Sequence, residues 1–409
     1  MIGSLFAGIS GLNANATALT VIGDNIANVN TTAFKSNSSS FANVLSQSLG
    51  GAVSSGIGRG VEYWGTSPSW TQGSLENTSS PTDLAINGKG FFVVEDDSGS
   101  AYYTRAGQFY LNEDGDLVNP DGMKVQGYEI DSTGSLGNIG DINIPGERIS
   151  PPYATTEFSF DINLDSGAAT GATYSTSQSI FDSLGNAIPL TLTFTKQAAA
   201  QTWQVAASVP SPNGPVTIGG AATATVTFDS SGNITAPAAD AALSITLANG
   251  AATPLAVTWD LYDAGGTSLG DLTGFASASS TTFQRQDGYT SGVLQGISVD
   301  EEGIVTATYS NGQLTPVYQL YLADFPSYDG LTKLGNNLYA ESLKSGQPLP
   351  GVAGNGRLGG ITSGSIEMSN VDLAQEFVKM ITTQRAYQAN SRVITTSDEI
   401  LQELINIKR

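Results

Sequence analysis

Neither cysteine nor histidine occurs among the 409 residues of this chain. Disulfides are therefore impossible, thiol and imidazole nucleophile–base pairs are excluded, and the usual zinc sites lose their ligands. Basic residues are scarce as well: 16 Lys and Arg stand against 37 Asp and Glu, a formal net charge of -21. That balance opposes nucleic acid and anionic lipid, whose phosphates are held by clustered Lys and Arg. Counting continuous apolar runs finds none of the roughly 18 residues a membrane span needs, so no membrane insertion is expected. The first basic residue is Lys35, and the start of the chain lacks the basic and apolar regions of a secretory signal. The protein therefore either stays inside or leaves by a route that does not read such a signal.

These absences leave no recognisable catalytic constellation, and no catalytic, cofactor-binding or metal site is expected. Asn112-Glu113-Asp114-Gly115-Asp116 resembles half of a calcium loop, but Leu117 stands where that loop needs Gly. Asp-Gly is itself a turn signal, and a hairpin turn is the preferred reading.

What the chain has in plenty is small residues. Gly occurs 48 times, with much Ala, Ser and Thr, a composition that favours an extracellular β-rich protein over a cytosolic enzyme. From Met1 to Phe34 the only charged side chain is Asp24. Within that stretch Leu5, Leu12, Leu19 and Ile26 recur every seventh residue, with Ile9 and Ala16 between them. A helix over residues 4–28, about 36 Å long, is predicted, with one apolar seam. Its other faces carry none of the charge that solvates an ordinary surface helix, so burial among several chains is expected.

The carboxy end mirrors this. Ser369 and Asp372 resemble a capping box, and Leu373, Met380, Tyr387, Ile394 and Leu401 then follow at seven-residue intervals, with Phe377 and Ile405 on adjoining positions. A heptad helix at each end implies that the ends meet. The predicted fold is α+β and multidomain: a terminal α-helical coiled-coil domain formed by both ends, with two successive mainly-β domains inserted. The expected boundaries are 1–30 with 366–409 for the helical domain and 71–145 with 285–345 for an inner β-domain. Residues 146–284 form an outer β-domain, and 31–70 and 346–365 are extended connectors. Hairpin turns punctuate 84–128, and period-two alternation such as Ile188, Leu190, Leu192, Phe194 marks the strands beyond.

Longer stretches carry a resemblance. SGLNANATALTVIGDNIANVNTTAFK, ending at Lys35, resembles the amino-terminal motif of bacterial flagellar axial proteins, the rod, hook and hook–filament junction subunits; Ala33 stands where that motif usually has Gly. DLAINGKGFFVV and YYTRAGQFYLNEDGDLVNPDGMKVQGY are similar to a block that rod and hook proteins share. The end of the chain, from SNVDLAQEFVKM onward, resembles their carboxy-terminal motif. SQSIFDSLGNAIPLTLTFTK, followed by Trp203, looks like the outer domain of hook proteins, which distal rod proteins generally lack.

The resemblance implies a structural subunit of the flagellar hook, a curved hollow tube acting as a universal joint. It implies export through the flagellar type III apparatus to the extracellular flagellum without a cleavable signal peptide. The implied partners are the chain itself, the distal rod protein, the hook cap and the hook–filament junction protein. The assembly residues expected are Leu5, Ile9, Leu12, Leu19, Asn25, Ile26, Asn28, Asn30 and Phe34, with Leu373, Phe377, Met380, Tyr387, Ile394, Leu401 and Ile405. The rival readings are a distal rod protein and, in another class, a secreted adhesin or carbohydrate-binding protein.

Overall fold

The computed structural model describes residues 2–44, 47–48, 56–57, 59–131, 133–144, 149–263 and 265–407. Two helices bracket a mostly β chain: α1, Ile2–Ala27, and α2, Leu373–Ile407. The chain forms two compact units, one of residues 1–146, 296–308 and 314–409, the other of 147–295 and 309–313.

In the first unit α1 and α2 lie side by side and run in opposite directions. Ser4 Oγ is 3.4 Å from Ser397 Oγ, and Asn25 Nδ2 donates to Glu376 Oε2 at 3.2 Å. Between these ends, a methyl group on Gly8 would lie 3.1 Å from Ile394 Cγ1, and one on Gly11 2.8 Å from Asn390 Nδ2. The described residues of α1 that are buried are Gly8, Gly11, Ala14, Ala18, Ile22 and Asn25. The apolar row singled out in the sequence is thus not the row of closest helix approach. Small side chains let two backbones come together, which displaces the bulkier Leu5, Leu12, Leu19 and Ile26 to a half-buried flank.

The start of α2 also corrects the sequence reading. Asp372, not Ser369, is the cap: its Oδ1 accepts from Ala374 N at 2.9 Å and Gln375 N at 3.2 Å, satisfying two amides of the first turn. A second correction concerns α1. Residues Gly3–Ala27 are long and apolar enough, by length and composition, to cross a membrane, although no continuous apolar run occurs. Abundant Ala, Ile and Leu raise the average while Asn13, Asn15 and Asn25 interrupt the run, and α1 packs here against α2.

The body of this unit is an antiparallel sheet. Its central order is Ile304–Tyr309, Leu314–Leu320, Lys124–Ile130, Phe91–Glu95, Ala101–Thr104, Leu338–Ala340, Thr332–Gly335. On it sits an aromatic cluster of Trp70, Phe91, Tyr103, Phe325, Tyr328 and Tyr339, with Tyr103 and Phe325 edge to face at 4.7 Å. The segments expected as connectors carry paired strands. Asn37–Asn43 forms a ribbon with Val61–Pro68. Leu349–Gly351 pairs with Leu322–Asp324, Gly360–Ser363 with Leu84–Asn87, and Ser365–Glu367 with Leu75–Asn77. The alternation that marks a strand is hidden there by small polar residues, as in the serine run of Asn37–Asn43, and in Leu349–Gly351 and Gly360–Ser363 by short length and glycine. Residues 45–46, 49–55 and 58 of the first connector lie outside the described residues.

The second unit is a β-sandwich. One sheet is an antiparallel run of Thr173–Phe181, Ala187–Lys196, Thr202–Ser208, Thr223–Phe228 and Ile234–Ala236. The other has Glu157–Asn163 at its centre, parallel to Leu255–Trp259 and antiparallel to Ser280–Gln286. Alternate residues of both sheets, including Phe158, Phe160, Leu190, Leu192, Phe194, Trp203, Val257 and Trp259, close one apolar core.

One turn recurs through both units, an Asp or Asn followed three residues later by Gly. At Asp96, Asp182 and Asp229 the side-chain Oδ1 accepts the amides two and four residues on, while Gly99, Gly185 and Gly232 take positive φ. Asn112 does the same for Asp116 N at 2.8 Å, so the half calcium loop is a hairpin turn.

Candidate functional site

The asparagine-rich stretch GDNIANVNTTAFK lies where the helices meet the sheet. α1 ends because Asn28 folds back on it: Nδ2 donates to Asp24 O at 3.0 Å, and Oδ1 accepts from Thr31 Oγ1 at 3.0 Å. Ala33 then takes the left-handed conformation, φ 57°, and is fully buried. That is the geometry glycine tolerates best, and it explains why a glycine suits this place in the motif. Ala33 N donates to Glu367 O at 2.7 Å, joining the two ends of the chain.

Asn25, also buried, acts as a bracket. Its amide accepts from Asn37 N and donates to Asn37 O, both at 2.8 Å, and it donates also to Glu376 on α2. Asn370 does the same from the other terminus, accepting from Ser36 N at 2.7 Å and donating to Ser69 O at 2.8 Å. The hairpin tip at Asn336-Asn337, where both residues have positive φ, reaches in from the sheet: Asn337 Nδ2 donates to Thr32 O at 2.7 Å, and the neighbouring Lys333 Nζ to Asn37 Oδ1 at 2.7 Å.

At the centre are three buried charges. Glu367 Oε1 accepts from Lys35 Nζ at 2.5 Å and from Gly73 N at 2.9 Å, and Oε2 accepts from Arg105 Nε at 3.0 Å. Arg105 also donates from Nη1 to Gly90 O at 2.6 Å and from Nη2 to Gly88 O at 2.8 Å, and Lys35 also donates to Thr71 O at 2.9 Å. Relative exposure of the Lys35 and Glu367 side chains is 2% and 0%. Burial lowers the Lys35 ammonium from its usual range, and the Glu367 carboxylate offsets part of that. Burial, then the Glu367 charge, raises the Tyr339 phenol to about 12.

A cavity of about 340 Å³ opens beside this cluster, lined by Asp24, Asn28, Lys333, Asn337 and Tyr339 among others. Among the described residues no group of three or more acidic side chains is placed to hold a metal ion. The arrangement holds groups in place: it fixes the segment after α1, the segment before α2 and the edge of the sheet to one another.

Of the residues singled out in the sequence, Asn25, Asn28 and Phe34 lie in this joint, while Asn30 is exposed. On α1 Ile9 is 41% exposed; on α2 Met380, Tyr387, Ile394 and Leu401 are half-buried, whereas Leu373 and Phe377 are exposed. The side chain of Ile405 lies outside the described residues. Sequence reasoning missed Lys35, Arg105, Glu367, Asn37 and Asn370. A usable signal existed: Lys35 and Glu367 are isolated charges in otherwise neutral stretches, which is how a buried, paired charge reads.

Four family descriptions match successive parts of the chain. They are "Flagella basal body rod protein" over residues 5–35, "Flagellar hook protein FlgE/F/G D1 domain" over 85–165, "Flagellar basal body protein FlaE D2 domain" over 143–289 and "Flagellar basal body rod FlgEFG protein C-terminal" over 362–407. The chain is 36% identical to the flagellar hook protein FlgE of Escherichia coli K12, over 98% of each. It is 34% identical to that of Treponema pallidum over 100% of each. With that of Rhizobium meliloti it is 34% identical over 100% of this chain and 99% of the relative. The crystal structure of Helicobacter pylori flagellar hook protein FlgE2 resembles it with a TM-score of 0.51, at 16% identity over 70% of this chain and 98% of that one. At that identity the likeness shows the fold alone.

Proposed function

The chain belongs to the bacterial flagellar hook proteins, and on that premise we propose that it is the structural, non-enzymatic subunit whose polymer forms the curved hollow hook. The hook acts as a universal joint passing torque from rod to filament. Full-length similarity to hook proteins carries this reading. It also favours the hook over the distal rod and over an adhesin.

In this reading α1 and α2 pair as a coiled-coil stem lining the inner tube, and the β-units form the outer layers. An open tube requires heterologous contacts between subunits. α1 suits such a role, because its outward face carries Phe6 at 62% exposure, Ile9, Asn13, Ala16 and Thr20, with no charge before Asp24. The half-buried Leu5, Leu12, Leu19 and Ile26, and Met380, Tyr387, Ile394 and Leu401 on α2, would be covered by neighbouring copies. Export by the flagellar type III apparatus, without a cleavable signal peptide, and contact with the distal rod protein, hook cap and junction protein belong to the same reading.

The test is electron microscopy and sedimentation of the purified protein under conditions that induce polymerisation. Tubes are expected from the native chain. Leu12→Asp or Leu401→Asp should abolish them while leaving the β-sheet circular dichroism intact, since a charge buried without a partner costs several kcal/mol. Absence of tubes from the native chain would overturn the reading, and normal tubes from both variants would overturn the role given to the helices.

A further inference from the structure

We propose that Glu367 is a positioning residue that locks the helical pair to the inner sheet in one orientation, so that rotation of the stem is transmitted to the body without slip. The significance of that lock rests on the hook reading; the lock itself does not.

Glu367 ties together segments from four parts of the chain. Lys35 comes from just beyond α1, Gly73 from the segment before Leu75–Asn77, Arg105 directly follows the sheet strand Ala101–Thr104, and Glu367 itself lies a few residues before α2. The backbone repeats the tie through Ala33 N to Glu367 O and Met368 N to Ser74 O, at 2.7 and 2.8 Å. Every charged group of the trio has a partner, and Arg105 is oriented further by the Gly88 and Gly90 carbonyls.

Stability alone does not call for such an arrangement. A buried ion pair stabilises little more than well-packed apolar side chains of similar volume, because desolvation offsets the attraction. What it adds is direction. Apolar contact is indifferent to small sliding or rotation, since the hydrophobic effect depends on area and has no preferred angle. A hydrogen-bonded charge trio is not indifferent: any partial parting of stem and sheet leaves a buried cation or carboxylate without its partner. Intermediate orientations are therefore the costly ones, and the joint behaves as a detent where an apolar contact would behave as a bearing.

The chain's lack of cysteine makes a direct test possible. Asp97→Cys in a hairpin turn of the sheet and Gln375→Cys in the first turn of α2, both exposed, can carry spin labels without competing sites. Distances between them would be measured by pulsed electron resonance in the monomer, with native-like circular dichroism as a check, for the parent, for Glu367→Gln and for Lys35→Met. The first variant sets a neutral amide, with its N–H donors, against two cations; the second removes one charge while leaving the Arg105 contact.

A single narrow distance is expected in the parent, with its loss to a broad or two-peaked distribution in Glu367→Gln and a smaller broadening in Lys35→Met. Distributions as narrow as the parent's in both folded variants would overturn the proposal. Global unfolding of both would overturn it too, by showing that the trio holds the fold rather than the orientation. Because the measurement is made on the monomer, failure of the native chain to form tubes would count against the hook reading alone.

Discussion

The second unit encloses Trp203, Trp259, Phe158, Phe160 and Phe194 in one continuous apolar core, and its strands alternate cleanly between buried and exposed residues. The first unit brings both chain ends together through amides and a buried charge trio, and its helices touch through glycine and alanine. A core of the first kind depends on volume and tolerates many arrangements of similar side chains. A joint of the second kind depends on atom-to-atom partners, so it tolerates few substitutions but defines an angle. The contrast teaches where each part of the molecule is vulnerable, and four changes would break or sharpen it.

The largest effects fall on the two centres. Trp259→Ala should destabilise the second unit by about 3–5 kcal/mol, the range for emptying a large aromatic site. Scanning calorimetry should show one transition move down while the helical circular dichroism melts as before; movement of both would mean the units do not melt separately. Glu367→Ala strips two buried cations of their partner, and about 3–5 kcal/mol is expected, confined to the transition of the first unit. A shift of a few tenths would mean that water reaches the trio readily.

Next comes alkaline pH. Burial raises the phenols of Tyr103 and Tyr339 to about 12, so in the unfolded chain they ionise first. Stability from these groups is present below pH 10 and is lost as pH rises through 10 towards 12. Denaturant midpoints of the first unit should fall across that window, and Tyr339→Phe should flatten the fall. In the second unit Tyr262 is raised too, first by burial and then by Asp240, but it is a single group, and a shallower slope is expected there.

The smallest effect is Ala33→Gly. It relieves a left-handed alanine worth roughly 1–2 kcal/mol, offset by the extra freedom of glycine in the unfolded chain and by a lost buried methyl. A gain of about 1 kcal/mol or less in the stability of the first unit, read from its denaturation midpoint, is expected. A loss would mean that the methyl contributes more packing than the backbone loses in strain.

The terminal helices, the β-rich middle and the turns were legible because each rests on a local rule. A seven-residue repeat, a period of two and an Asp-Gly pair are visible within a few residues of one another. The joint was not, because Lys35, Arg105 and Glu367 lie far apart in the chain and meet only when Ser365–Glu367 pairs with Leu75–Asn77. The row of α1 that meets α2 escaped notice for a related reason. Leucine draws the eye in a sequence, while the row that approaches α2 most closely is marked by the near absence of side chains at Gly8 and Gly11.

The sequence by itself determined that the chain has no thiol or imidazole chemistry, that its ends are helical and its middle β, and that its first helix lacks the charge to face water on every side. These follow from which side chains exist and at what period they recur. Only the tertiary structure decided that Asp372 begins α2, that small residues line the helix contact, and that one carboxylate holds both ends of the chain against the sheet. Those outcomes depend on which groups can satisfy one another once water is gone, and that pairing is settled by distance in space, to which spacing along the chain is no guide.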